Sequence, residues 1–142
     1  MRIDFLSETD IPRLIELERD FNDGWSENQL KSAFSSGRFY VLGAIEDGKT
    51  VGFISFSVSI DTCDIETVLI KKEFRRKGYA GALIDFAERV MQEKGVKEVF
   101  LEVRQTNESA KALYFKKGYK KISIRKNYYS DLENAEVLKK EI

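Results

Sequence analysis

The stretch FRRKGYAGAL, Phe74 to Leu83, sets three cations and two glycines directly before an apolar helical pattern. The chain has only nine glycines in 142 residues, so two within four positions ask for a reason. A helix N-terminus exposes unpaired N–H groups and roughly half a positive charge. Glycine lets backbone approach a ligand with no Cβ in the way, and nearby cations add a favourable field. Together these features describe an anion site suited to pyrophosphate. The stretch itself holds neither Gly-Lys-Ser/Thr nor G-x-G-x-x-G, so it is neither a P-loop nor a dinucleotide fingerprint. A solvated, capped turn is the plain alternative, and these ten residues alone leave both readings open.

Composition limits the chemistry. Lys plus Arg equals Asp plus Glu at 24 each, which gives no global case for a DNA partner. Histidine is absent, which removes the commonest general base and the commonest metal ligand. Acid–base work then falls to carboxylates, Tyr, Lys or water, and no metal is expected. Cys63 is the single cysteine, so neither an intrachain disulfide nor a cysteine-rich zinc site is available. As an acyl carrier it lacks a partner base, and a small buried strand residue is the favoured reading. No apolar run reaches the roughly 20 residues of a membrane span. The start, MRIDFLSETD, acquires acids at once, unlike a secretory signal. A cytoplasmic protein of one domain, residues 1–142, with no membrane partner is expected.

The pattern along the chain gives an element order. Arg2 to Leu6 alternates like a short strand. Thr9 or Asp10 caps a helix with Pro12 in its first turn, and Ile11, Leu14, Ile15, Leu17 and Phe21 form its apolar face. Ser26 and Gln29 make a capping box for a second helix burying Leu30, Ala33 and Phe34, with Gly37 at its end. FYVLGAI and TVGFISFSV flank Asp47-Gly48, a strong hairpin signal. A third strand, Cys63 to Ile70, continues the antiparallel run, and a period of two places Asp64, Glu66, Val68 and Ile70 on one face. Ala80, Leu83, Ile84, Ala87, Val90 and Met91 fall at helical spacing, stopped at Gly95. VFLEV is a strand with Val99, Leu101 and Val103 on one side and Phe100 and Glu102 on the other. Asn107 caps a short helix carrying Ala110, Leu113 and Tyr114, and the tail reads as two strands around a polar turn. One helix between Cys63–Ile70 and VFLEV has the spacing of a parallel β-α-β crossover. The fold class is therefore mixed α/β around one mostly antiparallel sheet.

With the elements in place, the chain resembles the GNAT superfamily of acyl-CoA-dependent N-acetyltransferases. Two signatures carry the likeness. Arg75, Gly78 and Ala80 match the superfamily's pyrophosphate loop, and Asn107, Ala110, Leu113-Tyr114, Gly118 and Tyr119 match its second motif. Within the superfamily, LEVRQTN around Glu102, the turn RKNYY at Arg125 to Tyr129, and GWS before the second helix are similar to the bacterial ribosomal-protein alanine N-acetyltransferases. Those usually have Pro-Trp-Ser where this chain has Gly24.

The resemblance implies a splayed parallel strand pair, with the pantetheine arm of acetyl-CoA lying between the strands like an added strand. It implies cofactor contacts from Val68, Leu69 and Ile70 through backbone, from Arg76, Lys77, Gly78, Tyr79, Ala80 and Gly81 around the pyrophosphate, and from the Asn107 amide. Which of Arg75, Arg76 and Lys77 meets phosphate is left open. Glu102 is implied as the general base, with Asp64 as its rival and Glu66 on the same face as Asp64. Tyr114 is implied as the general acid for the departing thiolate. Each has a structural alternative: a solvent-facing strand glutamate, a core tyrosine, a plain helix cap. Trp25, Tyr128 and Tyr129 would line the acceptor side. The acceptor is then the α-amine of a protein or peptide N-terminus, a ribosomal protein among the candidates. A small amine is the alternative acceptor, and a non-catalytic acyl-CoA-binding module the alternative class. A monomer or homodimer fits either.

Overall fold

The computed structural model describes residues 1–19, 21 and 23–142. Its sheet has seven strands in the order β1-β2-β3-β4-β5-β7-β6. These are β1 (Arg2–Leu6), β2 (Phe39–Glu46), β3 (Lys49–Ser59), β4 (Thr62–Ile70), β5 (Glu98–Arg104), β6 (Lys120–Arg125) and β7 (Ala135–Glu141). All neighbours are antiparallel except β4 and β5. That parallel pair is joined by α3 (Tyr79–Glu93), the crossover helix its spacing predicts. The expected mixed α/β class with one mostly antiparallel sheet is what folds.

The sheet separates two apolar clusters. On one side α3 buries Leu83, Ile84, Ala87, Val90 and Met91 against Ile54, Phe56, Val99 and Leu101. Helix α4 (Glu108–Lys116) adds Tyr114 to that cluster. On the other side α1 (Ile11–Glu18) and α2 (Glu27–Ser35) bury Ile11, Leu14 and Leu30 against Phe39, Val41, Phe53 and Leu69. The α2 box forms as expected: Ser26 Oγ accepts from Gln29 N at 3.1 Å, and Gln29 Oε1 accepts from Ser26 N at 2.7 Å. Helix α1 ends at Glu18, so Phe21 lies beyond it, contrary to the expectation that it completes the helix's apolar face.

Two sequence readings are corrected here. In β4, Ser55 and Phe56 pair with Thr67 and Ile65, so Glu66 is the extra residue of a β-bulge. The bulge breaks the period of two. Val68 and Ile70 join Cys63 and Ile65 in the α3-side cluster, and Leu69 turns to the opposite one. Asp64 and Glu66 therefore do not share a face with Val68 and Ile70. Secondly, GAIEDGKT, Gly43 to Thr50, carries the letters of a P-loop, a match the sequence reading missed. Here Asp47 (φ 49°) and Gly48 (φ 77°) form the two-residue turn between β2 and β3. Lys49 and Thr50 continue into a strand, so no helix N-terminus stands behind them to hold phosphate.

Gly52 marks where β3 and β4 press closest. A Cβ built there would lie 2.7 Å from the Leu69 carbonyl oxygen and 2.5 Å from Ile70 Cδ1. The backbone atom has nowhere to go without disturbing the ladder. Gly52→Ala should therefore destabilise the fold by about 1–3 kcal/mol. A denaturant midpoint equal to wild type would show that β4 yields at no cost.

Candidate active site

The parallel pairing of β4 with β5 runs only from Thr62–Glu98 to Ile65–Leu101. Beyond it β5 stays paired to β7 as far as Arg104–Ala135, and β4 stays paired to β3. The two strands thus part at the Glu66 bulge, and a gap opens through the sheet. Lys71 N donates to Val51 O at 2.8 Å, which fixes the alternation along β4. Counting back from that bond, Thr67 and Leu69 direct their N–H and C=O groups to β3, while Val68 and Ile70 direct theirs into the gap. Ile70 O is met by Arg75 Nε at 2.8 Å. The N–H groups of Val68 and Ile70 and the C=O of Val68 face the open gap. Leu69, expected to contribute backbone, borders the cavity with its polar groups turned to Phe53 instead.

Two cavities meet in the gap. The first, about 470 Å³, runs from Val68 and Ile70 past Arg75, Arg76 and Gly78–Gly81. The second, about 430 Å³, runs from Glu66 and Val68 past Glu102, Arg104 and Tyr129. Phe21, Val68, Asn107, Ala110 and Tyr114 border both.

At the far end of the first cavity α3 begins without a side-chain cap. Gly78 takes φ 81° as its N-cap, a conformation that favours glycine, and Arg76 before it takes φ 61°. The first intrahelical bond is Ala82 N to Gly78 O, so the N–H groups of Tyr79, Ala80 and Gly81 are left for an anion. Tyr79 is held in place by its hydroxyl on Glu46 Oε1. Of the three cations, Arg75 braces β4 through its Nε and borders the cavity, as does Arg76. Lys77 lies outside the cavity lining, its ammonium 5.5 Å from the Phe74 ring centre. Gly81 has a packing task too, since a Cβ there would come within 3.2 Å of Lys117 Cε.

The second cavity is acidic. Glu102 is half-buried, and its Oε1 lies 3.6 Å from Arg125 Nε. Burial raises its pKa above the usual carboxylate range, Arg125 opposes the shift, and Asp64 adds to it. Glu66 is raised for the same leading reason, burial, and then by Asp64. Asp64 is raised by burial too, but it lies in the paired part of β4 opposite Phe100 and does not border the cavity. Tyr114 enters from the α3 side, 8% exposed, and burial pushes its phenol up to about 12. Glu102 and Tyr114 thus reach one gap from opposite faces of the sheet. Asn107 caps α4 as expected, its Oδ1 accepting from Ala110 N at 3.2 Å, and it borders both cavities.

The aromatic expectations divide. Tyr129 borders the second cavity. Trp25 instead stacks on Phe39 at 5.5 Å in the α1–α2 core, and Tyr128 lies outside the lining, edge-on to Tyr129. Sequence reasoning missed Phe21, Arg104 and Asp131, all of which line the cavity. Arg104 was within reach, since it shares Glu102's strand face by the period of two. Asp131 lies in an irregular turn that no periodicity places. Among the described residues no group of three metal-ligating side chains exists, and no helix is long and apolar enough to cross a membrane.

Comparison with known proteins bears on this site. The model of the acetyltransferase (GNAT) family matches residues 7–119. The [ribosomal protein bS18]-alanine N-acetyltransferase of Haemophilus influenzae is 33% identical over 134 residues, covering 91% of this chain and 90% of that one. The protein of the same description from Escherichia coli strain K12 is 29% identical over 135 residues, covering 94% and 90%. The crystal structure of the ribosomal-protein-S18-alanine N-acetyltransferase from Escherichia coli superposes with a TM-score of 0.92 at 28% identity, covering 99% of this chain and 93% of that one.

The electrostatics of the second cavity can be read directly. Arg125 is the cation that opposes the rise at Glu102. Removing it as Arg125→Gln should move the Glu102 midpoint further up, and only modestly because the arginine is exposed. Carboxyl-carbon NMR titration of both proteins measures this. An unchanged or lowered midpoint would show that Arg125 does not act on Glu102.

Proposed function

The chain belongs to the GNAT acetyltransferase family, and from that premise we propose that it transfers the acetyl group of acetyl-CoA to the α-amine of a protein or peptide N-terminus. The observation that carries this reading is the gap itself. It joins an uncapped helix N-terminus to a cavity where a carboxylate and a buried phenol approach from opposite faces. The likeness to enzymes described as alanine N-acetyltransferases of ribosomal protein bS18 supports a ribosomal protein as acceptor, and the cytoplasm as the place of reaction.

The proposed roles follow from position. The N–H groups of Tyr79, Ala80 and Gly81 hold the pyrophosphate, with Arg76 at the cavity border as the assisting cation. Val68 and Ile70 extend backbone bonds to the pantetheine arm, and the Asn107 amide adds one from across the gap. An α-ammonium has an unperturbed pKa near 8, so its deprotonation is a modest demand. Glu102 accepts that proton, directly or through water. Its border position supports it over Asp64. Burial makes it a stronger base than a carboxylate in water.

The freed nitrogen lone pair attacks the thioester carbonyl carbon. A carbon–nitrogen bond forms and the carbon–sulfur bond breaks. The N–H of Val68 faces the carbonyl oxygen as negative charge gathers there. Tyr114 gives its phenolic proton to the leaving sulfur and is reprotonated by the second proton of the amine. Glu102 releases its proton to water, so the net reaction yields amide, thiol and one proton. At about 12 the phenol stays protonated at any working pH. A thiol in water has a pKa near 8.5, so this transfer would be uphill by roughly 5 kcal/mol. The apolar surroundings that raise the phenol also raise a thiolate beside it, which narrows the gap.

The test is acetyl transfer to N-terminal peptides and to free amines by wild type, Glu102→Gln and Tyr114→Phe. Wild type is expected to prefer the peptides. Each variant should lose on the order of 10²–10⁴ in kcat while binding acetyl-CoA as wild type does. Tight acetyl-CoA binding with no transfer by wild type would make the chain a binding module. Full turnover by both variants would remove Glu102 and Tyr114 from the chemistry.

A further inference from the structure

Arg104 is the most heavily engaged side chain of the second cavity. Its Nε donates to Asp23 Oδ2 at 2.9 Å and its Nη2 to Asp23 Oδ1 at 2.8 Å. Its Nη1 donates to both oxygens of Asp131, at 3.0 and 2.9 Å, and to Glu133 Oε1 at 2.8 Å. The guanidinium carbon lies 4.1 Å from the Tyr129 ring centre. Two separate pieces of chain therefore converge on one cation. One carries Asp23 after α1, 81 residues away in sequence; the other is the turn between β6 and β7, 27 residues away.

An exposed ion pair contributes little to stability, because water competes and two long side chains must be ordered. This cluster is more than a single exposed pair, although Asp131 itself is exposed. The arginine side chain is only 20% exposed, its contact with Asp23 is bidentate, and three carboxylates share it. The turn is organised around it as well. Glu133 Oε2 accepts from Thr106 N at 3.0 Å, and Glu133 N donates to Asp131 Oδ1 at 3.1 Å. Hydrogen bonds from Thr106 and Arg104 hold the Glu133 carboxyl down at about 2, so Glu133 stays ionised throughout the working pH range. The strand beneath is fixed on its other edge by β7, opposite Ala135.

We propose that Arg104 is a positioning residue for the acceptor, clasping the Asp23 segment and the 127–134 turn across the mouth of the cavity at a fixed distance from Glu102. The inference rests on the acceptor site proposed above. It assigns to one guanidinium the shape of the opening through which the N-terminus enters. The donor half of the gap takes no part, since none of the clasp residues borders the first cavity. Lysine would replace it poorly, because a point charge cannot form two planar pairs at once.

Arg104→Met should raise the KM for an N-terminal peptide by roughly 10-fold or more, with kcat within a few-fold. Acetyl-CoA affinity should hold within about two-fold. Arg104→Lys should fall between wild type and Arg104→Met. Asp23→Asn and Asp131→Asn should each reproduce part of the KM rise, and they decide the matter if Arg104→Met folds poorly. Hydrogen exchange gives a readout independent of activity. In Arg104→Met the amides of Asp23 to Trp25 and of the 127–134 turn should both exchange faster, with Tyr79 to Gly81 unchanged. Faster exchange in only one segment or in neither, or a peptide KM within two-fold of wild type, would overturn the clasp. If wild type transfers to no peptide, the proposed function fails, and exchange still decides whether Arg104 joins the two segments.

Discussion

Everything in this molecule's site depends on where one ladder of hydrogen bonds stops. Four residues of β4 pair with four of β5, and then the strands part. A buried strand edge with unpaired backbone groups is costly unless something pairs with it. Here the edge is left facing a cavity, and it ends at a helix whose own first N–H groups are unpaired. The same unpaired backbone that would be a defect in a closed sheet is, on the proposed reading, the recognition surface for an extended guest with an anionic end. The bulge at Glu66 makes the parting possible, because it turns β4 without breaking its pairing to β3.

The two halves of the gap are made of different materials. The first is lined by backbone N–H groups, a helix N-terminus and apolar side chains such as Leu113 and Phe74. The second is lined by carboxylates, with Arg104 as the one cation among the described residues that border it. Crowding carboxylates at a partly buried site raises their pKa values, and the causes at Glu66 and Glu102 include both burial and a neighbouring acid. An ammonium entering this cavity meets a favourable field and a carboxylate more basic than one in water. The field and the basicity have one cause, so a change that neutralises one acid alters both.

Much of this was legible in the sequence, and the exceptions have physical reasons. Hairpin, capping box, crossover helix and both signature motifs are local patterns, and local patterns are what periodicity and capping rules read. The β-bulge is set by how two strands pack, so alternation put Val68 and Ile70 on the wrong face. Leu69 was expected to contribute backbone from its place in the strand before the loop, but parity along β4 turns its polar groups to β3 and only those of Val68 and Ile70 to the gap. GAIEDGKT shows the converse failure, in which letters match and the surrounding elements do not. Trp25 was expected on the acceptor side from the family resemblance, yet its ring stacks on Phe39 in the α1–α2 core. Strand parity could have placed Arg104 beside Glu102, but its ion-pair partners are 27 and 81 residues away, and no local rule reads such distances.

The division between the halves bears on how such a site changes. Contacts made by backbone depend on fold and tolerate most side-chain substitution, provided that glycine stays where φ is positive, as at Gly78. Contacts made by side chains change with a single codon. On the proposed reading, donor recognition is tied to the parting of β4 and β5, whereas acceptor recognition rests on Asp23, Asp131 and the arginine between them. Gly24, where the family resemblance implies proline, lies in the acceptor-side segment, and a Cβ there would come within 3.1 Å of Glu18 Cβ. The buried Glu18 accepts from Trp25 N at 2.9 Å and so holds the segment that carries Asp23. The segment bearing the departure from the related pattern is thus the one that Arg104 clasps, which places the freedom to change acceptor on the side of the gap that backbone does not fix.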